Sequence, residues 1–183
     1  MITAFVDRLL MARVGARWDR PVDPTWESAQ NRFGLLGVIA AAVCLVDQAT
    51  KDAIYTSIGP VGTTPGQQVT VVPDLVRLSY VSNRGAAFGL LDQFGDLFTP
   101  LVVGIMILVL LYYRSLRGPR LLMRCALSLQ LGGAMGNLLD RLRYGHVIDF
   151  VDVPLIPVFN VADSAIFLGS VILVGLFVLR PDS

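Results

Sequence analysis

The chain has 183 residues, 54% of them apolar and 16% charged, with a formal net charge of +1 and a mean hydropathy of +0.64. That composition excludes an ordinary soluble domain and points to an integral membrane protein. The length leaves room for one helical bundle with extramembrane loops, and the arginines fall in short groups that form no nucleic-acid-binding stripe.

Residues 1–32 read as a cytoplasmic tail in which apolar and arginine positions alternate around Trp18 and Trp26. It either lies on the inner membrane surface or stays disordered, and no chemistry is assigned to it. No cleaved signal peptide is expected, because the first apolar run begins only at Phe33. From there to about residue 180 the chain reads as one membrane domain.

Four segments qualify as spans if about 20 helical residues are needed to cross the hydrocarbon. The first runs from Phe33 through Asp47 toward Tyr55; the second is Leu97 to Tyr113, the third Leu121 to Leu139 and the fourth Val161 to Leu179. The expected fold is therefore an all-α membrane protein of four transmembrane helices. The third span carries Arg124, Ser128, Gln130 and the small residues Gly132, Gly133, Ala134 and Gly136. Such residues let helix backbones approach closely, which places this span in the centre of the bundle. Cys44 and Cys125 lie in apolar runs without metal-site spacing and read as small buried hydrophobes.

Between the first two spans, the loop 56–96 holds QQVTVVPDLVRLSYV, Gln67 to Val81. Short apolar–polar alternation about a Pro73-Asp74 turn predicts two strands, a small extracytoplasmic β-cradle. The following SNRGAAFGLLD, with Asn83, Gly85, Phe88 and Gly89, suits tight backbone and an interfacial surface. Arginines in the tail and at Arg114, Arg117 and Arg120 put those segments in the cytoplasm, and the poorly basic long loop outside. Both termini are then cytoplasmic, and Asp47, Lys51, Asn83, Asn137, Asp140, Arg141, Asp149, Asn160 and Asp163 gather at the outer leaflet.

Ionisable groups at membrane depth are costly and mark function. Asn137, Asp140 and Arg141 share a helical face, and Asn160 and Asp163 repeat the i, i+3 spacing at the start of the fourth span, where Asn160 can cap the helix. Asp149 lies on the connector between these helices. Pro154 and Pro157 keep that connector from becoming helix and let it fold back. Two aspartates brought together in a partly desolvated site share a proton. One can act as general base on water while its partner protonates a scissile carbonyl, which is aspartic peptidase chemistry.

The remaining polar residues have plainer readings. Asp140 with Arg141 reads as a supporting ion pair and cap, and Asp152 as a solvated loop carboxylate. His146 reads as a surface or turn residue without companions for a metal. Lys51, the only lysine, reads as an i, i+4 partner of Asp47, with a Ser/Lys dyad as the competing role.

The strings VDQATK at Asp47 and Lys51, SNRGAAFG at Asn83, GGAMGNLLDR through Asn137 and Arg141, GHVIDFVD at Asp149 and FNVADSAIFLG at Asp163 resemble, in order, those of the lipoprotein signal peptidase family, signal peptidase II. The resemblance implies an aspartic endopeptidase of the bacterial cytoplasmic membrane with Asp149 and Asp163 catalytic. It implies that Asn83, Asn137, Arg141 and Asn160 hold substrate backbone or lipid headgroup oxygens, while Asp47, Lys51 and Asp140 support the site. The implied substrate is a diacylglyceryl prolipoprotein cut just before its lipidated cysteine. No cofactor or metal is implied, and a globomycin-type depsipeptide is expected to inhibit. A monomer surrounded by membrane lipid is expected. The competing reading is a small proton-coupled transporter that uses the same carboxylates as a relay.

Overall fold

A computed structural model describes residues 29–59, 68–84, 95–116 and 120–178, with only helical backbone for 29–32 and 95–97. Helix α1 spans Ala29–Ser57, strand β1 Val69–Val72 and strand β2 Val76–Asn83. Helix α2 spans Gly95–Ser115, α3 Leu121–Tyr144, strand β3 Val147–Asp152 and α4 Val161–Val178. The expectations for residues 1–28 of the N-terminal tail and for Gly85, Phe88 and Gly89 lie outside the described residues, whereas residues 29–32 of that tail already belong to α1.

Three stretches, Phe33–Ser57, Phe98–Ser115 and Val161–Val178, are long and apolar enough to cross a membrane. Their outer faces are apolar: Leu101, Ile107 and Leu108 on α2 and Phe167, Val171 and Val174 on α4 are all exposed. α3 differs. It packs against α1, α2 and α4 and buries Arg124, Ser128, Asn137 and Asp140 along with its apolar residues. The molecule is inverted relative to a water-soluble domain, with apolar side chains outside and a charged centre within.

Small residues on α3 make this packing possible. A β-carbon on Gly132 would lie 2.7 Å from the Ala40 carbonyl of α1, and one on Gly133 would collide with the Ala162 carbonyl of α4. Gln130 Nε2 donates to Ser170 Oγ at 3.0 Å, a further α3–α4 link within the bundle. Cys44 is buried as expected, whereas Cys125 is only half-buried.

Two apolar clusters flank the polar centre. Leu36, Tyr113, Met123, Leu127 and Leu131 fill the space between α1, α2 and α3. Ile54, Ile58, Tyr80, Ile148 and Phe150 join the end of α1 to β2 and β3. The sheet is antiparallel in the order β1-β2-β3, with Val81 opposite Asp149 and Asn83 opposite Val147.

The β1–β2 hairpin matches the sequence reading, but β3 does not: the connector holding Asp149 is a strand. Asp152 accordingly ends a strand, where it pairs with Arg77 at 3.0 Å instead of standing solvated in a loop. α3 also continues past Leu139 to Tyr144, where Gly145 adopts φ 74° and donates its N–H to the Arg141 carbonyl. That left-handed residue is the usual glycine helix stop, and it turns the chain directly into β3.

Candidate active site

α4 begins with a reciprocal cap. The Asp163 N–H donates to Asn160 Oδ1 at 2.8 Å, and the Asn160 N–H donates to Asp163 Oδ2 at 3.3 Å, the capping-box logic with shorter side chains. Asn160 is fully buried. Its remaining donor, Nδ2, reaches Asp149 Oδ1 at 2.7 Å, Asn137 Oδ1 at 3.1 Å and the Ile148 carbonyl at 3.3 Å. One asparagine thus holds both predicted catalytic aspartates.

Each of those carboxylates accepts from two donors. Asp149 takes Asn160 Nδ2 and, at 2.9 Å, Asn83 Nδ2 from the neighbouring strand. Asp163 takes the Asn160 N–H and, at 2.8 Å, Asn137 Nδ2 from α3. All the donors are neutral. Asp149, on β3 and only 1% exposed, has its pKa pushed up to about 7, chiefly by burial and further by the Asp163 charge, against the lowering pull of Asn83, Asn160 and the more distant Lys51 charge.

Beside this pair lies a second acidic group of opposite character. Lys51 Nζ sits 2.8 Å from Asp47 Oδ2, 2.7 Å from Asp140 Oδ2 and 2.9 Å from Asn137 Oδ1. Three acceptors use the full donor capacity of an ammonium. Asp47 Oδ1 accepts the Ala162 N–H at 2.8 Å, in the first turn of α4, where a negative charge also meets the helix dipole. Asp140 Oδ2 accepts the Ile148 N–H at 3.1 Å, fixing the residue next to Asp149. The partner of Asp140 is therefore Lys51 and not its neighbour Arg141, because the helix turns Asp140 inward onto α1.

Lys51 also settles an orientation. Asn137 Oδ1 must face the ammonium, so its Nδ2 faces Asp163. Arg141 sits at the edge of this system, donating from Nη1 to the Asn137 carbonyl at 3.3 Å. Its Nε is buried without a hydrogen-bond partner among the described residues.

All nine residues singled out from the sequence converge here. The sequence reading missed Gln48, whose Nε2 donates to Asp140 Oδ1 at 2.8 Å and to the Gly136 carbonyl at 3.2 Å, while its Oε1 accepts from Arg143 at 2.9 Å. Its place between Asp47 and Lys51 does not by itself mark it. His146 stays outside the centre, in the turn after α3, hydrogen-bonded to the Tyr80 hydroxyl at 3.0 Å.

Apolar helices enclosing two amide-bound carboxylates define a membrane protein with the makeup of an acid–base site. The sequence profile of the family described as signal peptidase (SPase) II matches residues 39–179, and the chain belongs to that family. A lipoprotein signal peptidase of Moorella thermoacetica is 43% identical over 136 residues, 74% of this chain and 87% of that protein. One from Rhodococcus jostii is 42% identical over 167 residues, 87% of this chain and 81% of that protein. A solved bacterial membrane enzyme superposes with a TM-score of 0.71 at 30% identity, covering 81% of this chain and 95% of that one. These likenesses favour the peptidase reading over the transporter.

Proposed function

We propose that the protein is an aspartic endopeptidase that removes signal peptides from diacylglyceryl-modified prolipoproteins, cutting before the lipidated cysteine. The carrying observation is that Asn160 binds both Asp149 and Asp163, with neutral amides as the only side-chain donors to either carboxylate among the described residues. Such a pair is expected to hold one proton between its two members.

Catalysis then follows. The ionised aspartate takes a proton from water as the water oxygen bonds to the scissile carbonyl carbon, and the protonated aspartate gives its proton to the carbonyl oxygen. The tetrahedral diol collapses as one hydroxyl proton passes to the now ionised aspartate and the aspartate that took the water proton gives it to the nitrogen, breaking the C–N bond. Asn83, Asn137 and Asn160 serve the carboxylates and, in this reading, touch substrate through them. Arg141, whose Nε has no hydrogen-bond partner among the described residues, is a donor for a substrate backbone or headgroup oxygen. Asp47, Lys51 and Asp140 hold the frame.

In this assignment α3 is the fourth span of a domain covering residues 33–180, and both termini are cytoplasmic. The site lies at the outer leaflet of the bacterial cytoplasmic membrane, where a lipid-anchored substrate can enter sideways. The protein works as a monomer, and a globomycin-type depsipeptide competes for the site. Purified protein is expected to convert a diacylglyceryl prolipoprotein, seen as a gel shift, and to leave the unlipidated form intact. Equal processing of both forms overturns the lipid requirement, and no processing of either overturns the assignment.

A further inference from the structure

Two turns at the end of the sheet away from Asn83 carry the only non-glycine residues with positive φ among those described, Asp74 at 59° and Leu155 at 73°. Aspartate tolerates this region, but leucine does so rarely and at a cost. The loop between β3 and α4 closes with the Ile156 N–H donating to the Val153 carbonyl, so Pro154 and Leu155 occupy the central turn positions. Proline is favoured at the first of these, and glycine or asparagine is expected at the second when φ is positive.

Here the second position holds a leucine with a relative exposure of 104%, followed by a half-exposed Ile156. Among the described residues nothing covers the Leu155 side chain. The neighbouring turn adds Leu75, 54% exposed, and Leu75 and Pro154 line the same cleft. Strain that projects apolar groups outward is a feature to be explained by what lies outside the molecule.

The loop's position decides the occupant. Its base is fixed by Val151 and Phe159, which exchange backbone hydrogen bonds of 2.8 and 3.1 Å. The next residue but one after Phe159 opens α4, whose exterior Phe167, Leu168, Val171 and Val174 are exposed as lipid-facing residues are. The loop tip is therefore tethered at the level where α4 meets the membrane surface. At its base the Arg77–Asp152 ion pair stays partly exposed, as a headgroup-level pair would.

We propose that the Val153–Val158 loop, with Leu75 beside it, is an interfacial anchor. Leu155 and Ile156 insert among the acyl-chain ends nearest the glycerol esters of the leaflet adjoining the site, holding the sheet and its Asp149 at a fixed depth. Burial of this kind reaches about 5–10 Å into the headgroup–acyl boundary. It is the depth at which a bilayer-anchored substrate would present the bond near its lipid.

The test places a reporter at the tip. Leu155→Trp is made in the full chain with Trp18→Phe and Trp26→Phe, and reconstituted in phosphatidylethanolamine–phosphatidylglycerol vesicles. Expected are blue-shifted indole emission and stronger quenching by lipids brominated near the ester end of the acyl chain than by lipids brominated near the terminal methyl. Emission of a water-exposed indole, unquenched by either lipid, overturns the proposal. A blue shift without bromine quenching that grows with protein density also overturns it, since a second copy would then be the cover. Leu155→Asp removes the apolar tip without touching the core and serves as an independent check. Its cleavage rate is expected to fall in vesicles and hold in detergent micelles, whereas an unchanged rate in vesicles counts against anchoring.

Discussion

Two pairs of aspartates lie side by side in this molecule and differ in one respect. Asp47 and Asp140 share the buried ammonium of Lys51 at 2.8 and 2.7 Å. Among the described residues, Asp149 and Asp163 accept hydrogen bonds only from amides. The first pair is balanced by direct ion pairs to a buried cation; the second has no cation hydrogen-bonded to it among the described residues, so protonation is how its charge is relieved. One residue type is set to two tasks by its surroundings, and a proton is mobile where no cation is hydrogen-bonded to the carboxylate.

Removing a carboxylate from each pair is the sharpest way to break this contrast. Asp149→Asn or Asp163→Asn is expected to cut cleavage of lipidated substrate by roughly 10³-fold or more, at the upper end of what positioned acid–base groups contribute. Membrane insertion and thermal stability should hold, because an amide can still occupy the pocket. Lys51→Met is the converse. It leaves two buried carboxylates without a counter-charge, and breaking such a group costs about 3–5 kcal/mol. The expected readout is a large drop in melting temperature in detergent. A stable Lys51→Met protein with normal cleavage would place the balance elsewhere.

Acid–base behaviour sharpens the same comparison. Burial pushes Asp149 from the ordinary 3.8 up to about 7. Between those values the folded state keeps a proton that the unfolded chain has released. Stability therefore falls as pH rises through that window and levels off above about 7. Cleavage should decline on the same alkaline limb as the pair loses its shared proton. Melting curves across about pH 4 to 8 are expected to flatten in Asp149→Asn, since the titrating group is gone. An unchanged slope would assign the titration to another group.

How far the sequence anticipates this structure depends on the range of each interaction. The helices and the β1–β2 hairpin were legible because apolar length and alternation are local properties. So was the gathering of polar residues, which followed from i, i+3 and i+4 spacing and from the turn that brings α4 back to α3. Strand β3 was not legible. Aspartates at positions 149 and 152 interrupt its apolar pattern, and the strand it pairs with, β2, lies more than 60 residues upstream. Nor could spacing show that Lys51 reaches Asp140 across α1 and α3. The i, i+4 pair with Asp47 was already a sufficient reading. Gln48 was passed over because a neutral amide beside charged neighbours carries no signal until its partners are known.

The smallest effect tests how rigid the balanced group is. A β-carbon on Gly136 would press on Asp47 Oδ2 and lie 3.1 Å from Asp47 Cγ. Carboxylates at the end of a side chain can usually swing aside, but this one is bound by Lys51 at 2.8 Å and by the Ala162 N–H at 2.8 Å. Gly136→Ala is therefore expected to destabilise by about 1–3 kcal/mol, the usual range for overpacking. Gly175, on α4, has nothing within 4 Å of an added β-carbon, so Gly175→Ala should be neutral or gain up to about 1 kcal/mol from helix propensity. Opposite signs in paired detergent melts would show that Asp47 is locked. A neutral Gly136→Ala would mean that the carboxylate yields, and that the balanced group owes its position to Lys51 alone.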